Sequence, residues 1–283
     1  MRFTGKEKKS GVTNVVSLIM ITAIIISFMG MVFSTYLPAW GKDIEVQTLN
    51  DVMDSFMDLK SGLDTLSAGG DPGTSITTKM TLGSNGGPVF GFGRMTGSLS
   101  IEEESGQVTV GGGGYTYGQS RGTVLYRSNN LYVEDQDILL EGGAIIRDQA
   151  ASSVLKGPPN LLVDKDQGTG KLRVYVLLQN LKGADVGFTG TGSYMLSTSL
   201  LTEESSDYDL GEENGQTITI EVRTEHHQVW SDTIEDIMTE ESLTSTNGDY
   251  ATSYDENSET FTLTIYEVNI LNVRTAFFKM TMT

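Results

Sequence analysis

Three patterns of apolar and polar residues follow one another along the chain. From Val12 to Leu37 no residue is charged, over 26 positions. At about 1.5 Å per residue, a helix of that length crosses a hydrocarbon core of about 30 Å with some tilt. From Lys42 to Ser67 the pattern becomes a stripe. Leu49, Val52, Met53, Phe56, Leu59, Leu63 and Leu66 recur at intervals of three and four, and Asp51, Asp54, Asp58 and Asp64 take the other side. That spacing predicts an amphipathic helix, whose apolar face has to be buried on the domain that follows. Pro38 and Gly41 are expected to interrupt the helix between the two segments, while Tyr36 and Trp40 suit a membrane interface. Gly69-Gly70-Asp71-Pro72-Gly73 is expected to end it.

The third pattern, residues 73–283, consists of short apolar runs separated by Gly-rich turns. Strands are expected at Ser75–Leu82, Met95–Ile101, Gln107–Val110, Gly122–Arg127, Leu131–Val133, Asp137–Leu140 and Ala144–Arg147. Leu161–Val163, Lys171–Gln179, Ser193–Leu200 and Gln216–Arg223 follow, and Glu259–Val268 and Leu271–Met282 read as a final pair. Glu141-Gly142-Gly143-Ala144 predicts a tight hairpin, and Gly111 to Gly114 a loop or hairpin tip. Val229 to Glu241 predicts a short helix with Trp230, Ile234, Ile237 and Met238 inward. The fold class is therefore α+β: a long N-terminal transmembrane helix continuing into an amphipathic one, then a mainly antiparallel, sandwich-like β domain. The weakly patterned stretch 183–192 is a candidate seam, and one sheet system or two both remain open.

Charge orients the first segment. Arg2, Lys6, Lys8 and Lys9 precede the apolar run, opposed only by Glu7, which places residues 1–11 in the cytoplasm and the β domain outside. Beyond residue 11, 36 acidic residues face 15 basic ones, a net formal charge of −21. That sum argues against nucleic acid and against an anionic lipid surface as partners. The chain has no cysteine and so no disulfide framework. Within the apolar run, Ala23, Ser27, Gly30 and Ser34 are spaced four, three and four apart. This puts small residues on one helical face, where a second helix could approach closely.

The stretch KKSGVTNVVSLIMITAIII (Lys8 to Ile26) resembles the N-terminus of archaeal type IV pilin-like proteins, which carry a class III (prepilin-type) signal peptide. The stretch from Gly122 to Val163, with Tyr126, the Glu141 to Ala144 turn and Pro158-Pro159, resembles the first β-rich segment of the same group. Asn14 stands where that group usually has Pro, and Val16 where many bacterial pilins have Glu. The resemblance implies cleavage by a prepilin peptidase after Ser10 or Gly11, so that the mature chain keeps its helix from Val12. It further implies a β-rich head on the cell surface, contacts with other pilin-like subunits through the helix, and an assembly platform as partner. A structural, non-catalytic subunit of a cell-surface filament or related assembly is the first expectation. A single-pass adhesion or binding module with a monomeric β domain is the alternative.

No stretch carries a strong catalytic or metal signature, and no cofactor is expected. Gly118-Gln119-Ser120-Arg121-Gly122 matches the G-x-S-x-G nucleophile pattern, but that pattern needs a strand before it and a helix after it. Here a strand is expected to follow. Asp164 and Asp166, in a DKDQGTG run, look like the front of a calcium loop and equally like a hairpin turn. Glu203, Glu204, Asp207, Asp209, Glu212 and Glu213 form the densest acidic cluster, expected as a solvated loop over Glu203–Asn214 and a weak candidate for a cation. His226 and His227 are adjacent, so on extended backbone they point apart and cannot chelate one metal together.

Overall fold

The computed structural model describes residues 8–86, 93–150, 152–166, 168–183, 187–211 and 215–282, with side chains from Asn14 onward. Two helices, α1 (Lys8–Met31) and α2 (Leu37–Gly69), are joined by a π-helical turn over Val32–Tyr36 into one rod of roughly 90 Å. Among the described residues it is the one helix long and apolar enough to cross a membrane.

The expected interruption at Pro38 and Gly41 does not occur. Pro38 has no N–H to offer the carbonyl of Ser34, and its ring crowds that carbonyl in a regular helix. The turn before it widens instead. The Leu37 N–H donates to the Val32 carbonyl, five residues back, and Pro38 then lies in the first turn of α2. Gly41 stays helical, and its missing side chain serves packing.

The strands are, in order, β1 (Ser75–Thr81), β2 (Thr96–Glu102), β3 (Val108–Gly112), β4 (Tyr115–Ser120), β5 (Thr123–Asn129), β6 (Asp137–Glu141), β7 (Ala144–Gln149) and β8 (Ser152–Gly157). After them come β9 (Leu161–Lys165), β10 (Leu172–Lys182), β11 (Gly187–Gly190), β12 (Ser193–Asp209) and β13 (Gln216–Arg223). A helix, α3 (His227–Glu240), precedes β14 (Tyr250–Asp255) and β15 (Thr260–Met282). They form two sheets. The smaller runs β11-β2-β5-β6-β7-β8, all antiparallel. The larger runs β1-β12-β15-β13-β3-β4, with β10, β9 and β14 attached beside β15.

The two strands expected at the end of the chain are one. β15 is 23 residues long and pairs with β13 and β14 over its first part, then with β12 and, in parallel, β10. The polar break at Glu267 is a bulge with φ of 57°, where the partners change. The acidic stretch is not a loop either, because Glu203 to Asp209 continue β12 along β15. Leu131–Val133, expected as a strand, is a loop whose N–H groups face a carboxylate rather than a neighbouring strand.

Two apolar clusters fill the head. One joins the α2 stripe (Leu49, Val52, Phe56, Leu59, Leu63, Leu66) to Val124, Tyr126 and Ile138 of the small sheet and Phe278 of β15. The other lies under α3, with Trp230, Ile234 and Met238 against the large sheet, and Ile237 partly buried beside them. The Gly142-Gly143 hairpin tip has φ of 55° and 81°, as a two-residue turn matched to strand twist requires.

Candidate functional site: the junction of helix and head

The amphipathic stripe explains why α2 lies on the head, but polar groups fix where. Glu45 is fully buried. Its two carboxylate oxygens accept the backbone N–H groups of Leu131, Tyr132 and Val133, each at 2.8 Å. Three charge-assisted bonds hold one loop of the head against one turn of the rod. One turn earlier, Gly41 lies under the Tyr132 ring. A Cβ on Gly41 would sit 2.2 Å from Tyr132 Cε2, so only glycine admits the loop.

A second clamp lies about four turns further along. Lys60 Nζ donates to Asn160 Oδ1 (2.7 Å) and pairs with Asp64 (3.2 Å). Asp64 Oδ1 also accepts from Asn160 Nδ2 (2.8 Å) and Gln179 Nε2 (2.9 Å). Lys60 is buried, and these partners offset the cost of taking its ammonium out of water. Near the end of the rod, Arg274 bridges the Ser67 carbonyl (3.1 Å) and Glu203 (2.9 Å). The head therefore fixes both the rotation and the height of α2.

The first half of the rod is largely exposed. Leu18 is 65% and Phe28 66% exposed. Ala23, Ser27, Gly30 and Ser34 lie on this bare half, all exposed, and a Cβ on Gly30 would find nothing within 4 Å. Ser10, Gly11 and Val12 lie on the α1 backbone; their side chains fall outside the described ones.

The remaining candidates separate. Asp166 closes the β9–β10 turn, with its Oδ1 accepting from the Gly168 and Thr169 N–H groups at 2.8 Å. Those bonds hold its carboxyl below the usual range. Asp164 and Asp166 both face Arg173, at 3.9 and 3.6 Å. Glu203 is paired with Arg274, Asp207 bonds Asn272, and Asp209 Oδ1 accepts from the Gly211 N–H. Glu204 lies on the same strand, and Glu212 and Glu213 lie outside the described residues. Among the described residues, no three such side chains converge as a metal site would require. Ser120 ends β4 and is buried, with β5 rather than a helix after it.

Pattern reading missed a cleft between the two sheets. A cavity of about 530 Å³ is lined, among the described residues, by eight carboxylates, including Glu102, Asp137, Glu141, Asp148, Glu225 and Glu259, with Arg127 and Arg223 of opposite charge beside His226. Cross-strand pairing assembles its floor, since Thr123 faces Glu141 and Arg127 faces Asp137. Burial pushes the Glu141 carboxyl up, opposed by hydrogen bonds from Thr224 and from Trp230 Nε1, the latter at 3.2 Å. Burial also raises Asp137, with the Arg127 guanidinium opposing. Ser153 Oγ donates to Asp148 (2.6 Å) and lies 3.2 Å from His226 Nδ1. A hydrolytic triad has imidazole between acid and hydroxyl, whereas here the hydroxyl is in the middle and its proton points to the acid. His227 stacks on Tyr254 with centroids 3.9 Å apart, so the two histidines do part. The cleft was hidden because its residues come from six separate segments, none of them dense in acid except Glu102 to Glu104.

The model of a family of unknown function (DUF7289) matches residues 11–271, and the chain belongs to that family. No curated protein and no solved structure matches it.

Proposed function

We propose that this member of the family is a membrane-anchored, pilin-like structural subunit of an archaeal cell-surface filament or related assembly, and that it is not an enzyme. One observation carries the reading: a single continuous helix is bare and apolar for half its length and clamped to a β-rich head for the other half. A tether needs only the bare part. A rod fixed in rotation and height by Glu45 and by Lys60–Asp64 suits a subunit that must transmit position from helix to head. The basic flank Arg2 to Lys9 supports a cytoplasmic N-terminus with the head outside. In that arrangement Ala23, Ser27, Gly30 and Ser34 are the face for neighbouring helices.

The test is the intact mass of the native protein extracted from its membrane. Loss of the segment up to Ser10 or Gly11 is the expected result, and it fits processing by a prepilin peptidase. A full-length mass would overturn the filament reading. A mature start near Gly41 would overturn membrane anchoring as well.

The cleft favours a second reading, a tethered binding module. Eight carboxylates around about 530 Å³ suit a cationic surface group. A full-length mass, a monomer in detergent and saturable cation binding would together favour it.

A further inference from the structure

The head is acidic overall, and one exception lies where the rod leaves its bare half. A cavity of about 420 Å³ opens beside Lys42. The rod supplies Lys42 and Asn50, the clamped loop Tyr132 and Gln136, and β7 supplies Arg147 and Gln149. Among the described residues the lining holds one carboxylate, Glu134, which already accepts from Gln149 Nε2 at 3.0 Å. Beyond residue 11 acids outnumber bases by 36 to 15, so two cations and three amides against one acid is a reversal of the general composition. Among the described residues neither Lys42 nor Arg147 makes an ion pair. The Nε of half-buried Arg147 has no hydrogen-bond partner. A shielded guanidinium N–H in that state favours a ligand that brings an anionic acceptor.

Position selects among anions. Lys42 is five residues, about 7.5 Å along a helix, beyond Leu37, where the uncharged run ends. The headgroup layer adds roughly 5–7 Å on each side of the hydrocarbon core. Tyr36 and Trp40 are exposed just below, and Leu131, at the clamped loop, is 73% exposed. These three form a rim of the kind that seats in an interface.

We propose that the pocket between Lys42, Tyr132 and Arg147 holds the headgroup of an anionic phospholipid. The inference rests on the membrane reading above. The −21 charge of the exterior part does not oppose it. Long-range repulsion governs encounter with a surface, and a chain already inserted by its helix has no encounter to make. Contacts at Lys42 and Arg147 instead offset the repulsion that an acidic head meets when held against an anionic leaflet. At about 0.15 M ionic strength screening limits that repulsion to roughly 8 Å, so the residues nearest the membrane decide it.

The test is native mass spectrometry of the full chain in neutral-detergent micelles, with phosphatidylglycerol and phosphatidylcholine added at equal mole fraction. One phosphatidylglycerol should be retained under activation that strips phosphatidylcholine. Lys42→Gln and Arg147→Gln should each lower the retained fraction about tenfold, while Lys79→Gln, on exposed β1 surface, should leave it unchanged. Lys42 is exposed, so its variant keeps the test open if the Arg147 variant misfolds. Equal retention of the two lipids, or retention indifferent to both substitutions, overturns the proposal. So does displacement of the lipid by an equal concentration of glycerol phosphate, which would make the ligand a soluble phosphate. Flotation with liposomes of either lipid separates the two readings. No flotation at all breaks the membrane anchor itself, whereas flotation without lipid preference removes only this site.

Discussion

The two halves of the rod share one backbone and differ in everything else. Residues Asn14 to Tyr36 carry no charge and bury almost nothing; Leu37 to Gly69 bury a stripe and a carboxylate. The first half is apolar on all its faces, the pattern of a helix that lipid surrounds. The second reads as a stripe because one side meets a protein and the other water. Helical structure alone therefore says little about role. The circumference of the helix, apolar all round or on one side only, says where each half belongs.

Substitutions that strike only one half would sharpen that contrast. The largest effect is expected for Phe56→Ala, which removes a fully buried ring from the α2–sheet core. It should cost about 3–5 kcal/mol, read by denaturant unfolding of the full chain in neutral detergent. Glu45→Ala should cost about 2–4 kcal/mol, since it leaves three backbone N–H groups without their acceptor. Hydrogen exchange at Leu131 to Val133 should rise with it, and unchanged exchange there would break the clamp interpretation.

A smaller effect belongs to Glu141. Burial holds its folded-state carboxyl above the ordinary value of 4.5, so the folded chain keeps that proton to higher pH than the unfolded chain does. Its contribution to stability is present below the ordinary value and is lost as pH rises through the raised one. Glu141→Gln should flatten that fall in a pH series of unfolding midpoints. The smallest effect is expected in the bare half. Ile24→Ala should change head stability by less than about 0.5 kcal/mol. A larger shift would mean that the two halves are coupled in a way their contacts do not explain.

The pattern of apolar positions gave the two helical segments, the stripe and most strands, but not the continuity of the rod through Pro38 and Gly41. It failed where a local signal had a distant cause. Leu131 to Val133 looks like a strand, yet its N–H groups turn to Glu45, more than 80 residues earlier. Glu203 to Asp209 look like a solvated loop, yet β15 holds them as strand with Arg274 and Asn272 opposite acid side chains. β4, β8, β11 and β14 went unseen because they are polar or Gly-rich edge segments whose only instruction is the neighbour they pair with. At the junction, nothing local marks Glu45 as different from the other acids of α2. Its burial could have been suspected only from its place on the stripe side, one turn before Leu49.

β15 follows in sequence every strand it joins: β10, β12, β13 and β14. The larger sheet thus has no centre until its latest-arriving segment is delivered. During synthesis the rod can form while four strands still wait for the one that unites them. Pairings that span so much chain form slowly and leave edges open in the meantime. For this architecture the vulnerable interval is the last stretch of synthesis, when the rod is already formed and the head is not yet closed.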